Sequence, residues 1–132
     1  MFLRLDDRFD DLEQGFPVHV LGLNGALASA VQNDNPMRDL PYAQELYACA
    51  RRGDVLLGIS TSGNAANVCY ATITARALGL ATIGLTGRDG GKLAPLADIA
   101  LKAPGKSTRS IQESHLAMYH TLCAMVEACF FG

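Results

Sequence analysis

The chain has 132 residues, 49% of them hydrophobic and 18% charged, which suits one globular domain with a real core. A formal net charge of −2 gives no general attraction to nucleic acid or to an anionic membrane surface. No run approaches the about 18 apolar residues of a membrane span, and the first residues lack the basic-then-apolar order of a signal peptide, so the cytoplasm is the expected compartment.

Residues 1–14 are acidic, with Asp6, Asp7, Asp10, Asp11 and Glu13 around Leu3, Leu5, Phe9 and Leu12, and read as a solvated connector or helix end. Gly15-Phe16-Pro17 punctuates, and Val18 to Leu23 has strand composition. His19 within it reads as a packed or edge residue, since nothing at metal-ligand spacing accompanies it. Asn24 to Leu40 is polar and turn-rich around Asn33-Asp34-Asn35-Pro36, with a short helix possible over Ala26 to Val31. Pro41 to Arg52 reads as a helix from the spacing of Tyr42, Leu46, Tyr47 and Ala50, with Pro41 in its first turn.

The stretch that organises the chain is Gly-Asp-Val-Leu-Leu-Gly-Ile-Ser-Thr-Ser-Gly-Asn over Gly53 to Asn64. Val55 to Ile59 is an apolar run of strand length that empties into Ser60, Thr61, Ser62, Gly63 and Asn64, and a helical pattern follows from Ala65 to Leu78. Free N–H groups and the helix dipole at such a start favour an anion, so this loop is a candidate phosphate cradle. Hydroxyl residues before a helix also serve as ordinary N-caps, and one of them is expected in that role. The loop lacks the Gly-Lys-Ser/Thr of a Walker motif and the GxGxxG of a dinucleotide site, which points to a small phosphorylated ligand and no nucleotide cofactor.

Ala81 to Leu85 is a second short buried strand, and strand, helix, strand at this spacing implies a parallel crossover. Thr86 to Gly91 is a glycine-rich loop for which a tight turn and a ligand contact are both open. Lys92 to Ala97 reads as a short helix, Ile99 to Ala103 as the last strand, and Ser110 to Phe131 as a long helix whose broad apolar stripe suits packing against both the sheet and another subunit. Cys49, Cys69, Cys123 and Cys129 lack CxxC spacing and are expected to be buried free thiols. On its own, His120 reads as a core or interface histidine. His115, about 140° around the helix from it, reads as a solvent or interface contact.

Three motifs in order, Gly53 to Asn64, Leu85-Thr86-Gly87-Arg88-Asp89-Gly90-Gly91 and Ile111-Gln112-Glu113, resemble the sugar-isomerase (SIS) family and within it the phosphoheptose isomerases, from about Gly15 to the C-terminus. The resemblance implies an α/β fold, a three-layer α/β/α sandwich around a parallel, flavodoxin-like sheet of order 2-1-3-4-5. It implies conversion of sedoheptulose 7-phosphate to a heptose 7-phosphate, with the phosphate on Ser60, Thr61, Ser62, Gly63 and Asn64. It implies that Asn24, where many members have Asp, and Gln112 border the sugar, that His120 carries a proton, and that Gln112 and His120 are candidate zinc ligands. Eight residues of helix separate those two by about 12 Å, more than one ion spans, so an irregular helix start or donors from two subunits are required. It further implies a homo-oligomer, a tetramer in this family, with interface active sites.

The family's first strand, its Gly-Asn-Gly-Gly-Ser loop and a helix bearing His and Glu have no counterpart in residues 1–132, so the chain reads as a single partial SIS domain: the C-terminal portion of a longer protein, a shortened gene product or a truncated sequence. Two non-catalytic alternatives are a replication-initiator-binding module, whose members often carry Arg at the position of Ser62, and a sugar-phosphate-sensing regulator.

Overall fold

The computed structural model describes residues 15–132. Its elements are α1 (Gly25–Asp34), α2 (Pro41–Cys49), β1 (Val55–Ser60), α3 (Ala66–Ala77), β2 (Ala81–Thr86), β3 (Ile99–Lys102) and α4 (Thr108–Phe130). The three strands form one parallel sheet of order β1-β2-β3, in register Ser60 with Thr86 and Ile83 with Ile99. The α/β class and the parallel sheet thus match the sequence reading, as do the central strand and the helix that follows it.

Alternation along β1 gives the sheet two unlike faces. Leu56 is 9% exposed, while Val55, Leu57 and Ile59 are 58%, 41% and 45% exposed. On the covered face α3 closes down over Gly58, where a Cβ would sit 3.1 Å from Val68 Cγ1. Leu46 of α2, Leu56, Ala71, Ala75 and Leu80 make the core there, with Leu21 and Tyr42 packed on its edge. On the other face, among the described residues, only the first turns of α4 reach β2. Further along α4, Leu116, Met125, Val126 and Phe130 are exposed, and Phe16 meets Phe130 edge-on with ring centroids 5.1 Å apart.

A clamp of three hydrogen bonds holds β3 to β2. The Thr82 N–H and hydroxyl both donate to Asp98 Oδ2 at 2.8 Å, and the Asp98 N–H donates back to Thr82 Oγ1 at 2.9 Å. These bonds hold the Asp98 carboxyl below its ordinary pKa.

Several expectations are corrected. Val18 to Leu23 is not a strand: Val18, Val20 and Leu23 are exposed, and among the described residues no strand runs beside them to complete a ladder. Lys92 to Ala97 is a series of turns, because Pro95 has no N–H to continue a helix. All four cysteines are free, but only Cys69 is buried, and burial raises its thiol pKa. Cys49, Cys123 and Cys129 are exposed, the last two on the uncovered length of α4. His115 is buried rather than a surface contact. Residues 1–14, read as a connector, lie outside the described residues. No helix among the described residues is long and apolar enough to cross a membrane.

Candidate functional site

Parallel register brings the C-terminal ends of β1 and β2 side by side, so the loops that leave them touch. Gly87 N–H donates to Thr61 O at 3.0 Å, and Leu93 N–H to Gly63 O at 2.8 Å. Asn64 stitches both loops: its Oδ1 accepts from Lys92 N–H at 3.2 Å and its Nδ2 donates to Ser62 O at 3.0 Å. Ser62 Oγ accepts the Asn64 N–H at 3.1 Å. Gly63 and Gly91 hold φ of 65° and 53°, and a Cβ on Gly63 would strike the Gly90 carbonyl. Thr86 to Gly91 is therefore a brace for the first loop. Its Gly90 N–H closes a turn on Gly87 O.

The two readings of the hydroxyl loop now separate. The N-cap of α3 is Ala65, and no side chain caps this helix start. Val68 N–H alone in the first turn is taken by a side chain, the Oδ1 of Asn67. Ser60, Thr61 and Ser62 are thus released from capping. With Ala65 they line the mouth of the helix start, where N–H groups concentrate positive potential.

The opposite wall comes from α4. Ser107 caps it, its Oγ accepting from Ser110 N–H at 3.2 Å while Ser110 Oγ accepts from Ser107 N–H at 3.1 Å. Gln112, His115 and Tyr119 follow at i, i+3 and i+7, one stripe of a regular helix, and all three line the cleft with Ile59 and the hydroxyl loop. The cleft holds about 480 Å³, room for a ligand larger than a phosphate alone. Among the described residues its lining contains no Lys or Arg, so an anion there would rest on N–H and O–H donors.

Of the sequence-selected residues, Ser60, Thr61, Ser62 and Gln112 come together in this cleft, with Gly63 and Asn64 shaping its floor from behind. His120 does not join them: it is exposed, its ring 5.2 Å from that of Tyr119, on a different face of α4. Asn24 does not join them either. It is the N-cap of α1, its Oδ1 accepting from Leu27 N–H at 3.1 Å. The described residues do not supply the donors of a single zinc site. Continuous α-helix from Thr108 to Phe130 removes the irregular-start option for Gln112 and His120, and the described residues include no group of three His, Cys, Asp or Glu side chains that could hold a metal.

A family model for the SIS domain matches residues 10–87. The chain belongs to the SIS-domain family. Its relatives include phosphoheptose isomerases of Aliarcobacter butzleri, 42% identical over 93% of this chain, and of Geotalea daltonii, 38% identical over 95%. The chain spans about 65% of the length of each. Among solved structures, a phosphoheptose isomerase from Neisseria gonorrhoeae is 38% identical with a TM-score of 0.75, covering 80% of this chain and 59% of that one. One from Francisella tularensis is 32% identical, also at 0.75, covering 81% and 57%.

Sequence reasoning missed two cleft residues of this SIS domain, His115 and Tyr119. Their signal was the i, i+3, i+7 spacing from Gln112. Measuring His115 only against His120 hid it.

A second polar cluster lies away from the cleft. Glu45 is buried, its Oε2 accepting from Gly22 N–H at 2.7 Å and its Oε1 lying 2.9 Å from His19 Nε2. The Gly22 N–H first, and then His19, hold the Glu45 carboxyl below its ordinary pKa. His19 is thus a partner to a carboxylate.

Proposed function

We propose that the protein binds a sugar phosphate and takes part in aldose–ketose isomerisation, with sedoheptulose 7-phosphate as the substrate and a heptose 7-phosphate as the product. The observation that carries this reading is the uncapped start of α3 behind Ser60, Thr61 and Ser62, a set of donors left over once the helix's own needs are met. The phosphate would rest there and extend the carbon chain toward Gln112, so that binding energy spent on the phosphate fixes the reacting carbons.

Isomerisation needs a base to take the proton beside the carbonyl and an acid for the oxygen, with the enediol reprotonated one carbon along. Among the described residues no carboxylate lines the cleft, and His120 lies outside it. We therefore place His120 at the cleft of a second copy in a cytoplasmic homo-oligomer, the tetramer that the resemblance implies, a reading supported by the exposed Leu116, Val126 and Phe130 on the same helix. Zinc has no complete donor set among the described residues, and no step is routed through it.

A cleft lined, among the described residues, by hydroxyls, Gln112, His115 and Tyr119 also suits a second reading, a sugar-phosphate sensor that binds without turnover. Incubation with sedoheptulose 7-phosphate, followed by calorimetry and product analysis, separates the two. Saturable binding with turnover supports the isomerase, saturable binding alone supports the sensor, and no binding rejects both.

A further inference from the structure

His115 is 3% exposed, and its Nε2 lies 2.9 Å from the carbonyl oxygen of Thr86 at the end of β2. A carbonyl oxygen only accepts, so Nε2 carries the proton, and in the neutral ring Nδ1 is left as a lone pair. Among the described residues Nδ1 is the one buried side-chain nitrogen or oxygen without a hydrogen-bond partner. Leaving such an atom unpaired costs about 1–3 kcal/mol, and every other buried polar side-chain atom described here is satisfied. The two ring nitrogens flank Cε1 with outward directions that diverge by well over a right angle, so the tie to Thr86 leaves Nδ1 facing away from that carbonyl. The ring itself lines the cleft beside Gln112 and the hydroxyl loop.

Resting on the sugar-phosphate reading above, we propose that His115 Nδ1 is a second ligand contact, accepting a hydrogen bond from a hydroxyl on the carbon chain of the sugar phosphate. A phosphate dianion has no proton to give and is repelled by a lone pair, whereas a polyol carries a donor on nearly every carbon. The two walls of the cleft therefore ask for opposite chemistry: donors at Ser60 to Ser62 for the anionic end, an acceptor at His115 for the hydroxylated end. That pairing sets which way round the ligand lies. His115 is a positioning residue whose tautomer is chosen by a backbone carbonyl.

The test compares inorganic phosphate and sedoheptulose 7-phosphate by calorimetry on the wild-type chain and on His115→Gln, whose side-chain amide can keep the bond to Thr86 O while removing Nδ1. The expected result is about a tenfold loss of sugar-phosphate affinity with phosphate affinity kept within about twofold. In parallel, nitrogen-15 spectra of histidine-labelled wild-type chain should show the Nε2-protonated tautomer of His115, with its Nδ1 resonance moving on sugar phosphate and not on phosphate. Equal losses for both ligands, unchanged sugar-phosphate affinity, or a static Nδ1 resonance at saturation each overturn the inference while leaving the phosphate cradle standing. A wild-type chain that binds neither ligand removes the cradle and this inference together.

Discussion

At the C-terminal end of the sheet, two loops from neighbouring strands are sewn to each other by hydrogen bonds of Asn64, Gly63 and Gly87. A few ångströms away, one face of the same strands leaves Val55, Leu57, Ile59 and Ile99 in the open, and α4 runs on past it with its own apolar side chains bare. The first region is finished by local chain alone. Burial on the second waits for atoms that the described residues do not supply. A loop of this kind needs only two adjacent parallel strands and the helix between them, whereas a sheet face needs a complete layer.

The sharpest way to break the finished region is Gly63→Ala. A left-handed φ together with a collision with the Gly90 carbonyl should cost about 2 kcal/mol or more and lower phosphate affinity at least about tenfold, read by urea titration and calorimetry. Asn64→Ala removes the stitch to the Lys92 turn and the tie to the Ser62 carbonyl within its own loop. It should destabilise by about 1–2 kcal/mol, with a larger proportional loss of sugar-phosphate binding than of stability, because Ser62 and the Lys92 turn lose their shared anchor.

Glu45 tests the margin between the regions. Its folded pKa lies below the ordinary 4.5, so its contribution is fully present above that value and is lost as pH falls through the folded value. Glu45→Gln should cost about 1 kcal/mol at pH 7, and the gap from wild type should close as the pH falls well below 4.5, measured as denaturation midpoints across the range. On the open face, Val55→Thr should change the stability of the dilute chain by no more than about 0.5 kcal/mol. A concentration-dependent loss would instead show that this face is covered in solution.

How far the sequence could be read follows the same division. Val55 to Asn64 was legible because strand, loop and helix start are written in ten adjacent residues, and Gln112 because its motif opens a helix. Whether Ser60 to Ser62 were caps or ligand donors was not legible, since that depends on the cap falling at Ala65. His115 was hidden because its partner is a backbone carbonyl 29 residues earlier, a contact no local pattern encodes. Val18 to Leu23 carries strand composition, but a strand is a relation between two segments, and composition specifies only one of them. Lys92 to Ala97 failed on a single missing proton at Pro95.

The Thr82–Asp98 clamp bears on how the last strand finds its place. Four residues offer too short a ladder to choose among alignments, and a slip by one position would move Ile99 and Leu101 to the opposite face of the sheet. A hydroxyl that gives and takes with the same aspartate is indifferent to hydrophobicity and tolerates only one alignment, so it serves as the notch at which β3 stops sliding.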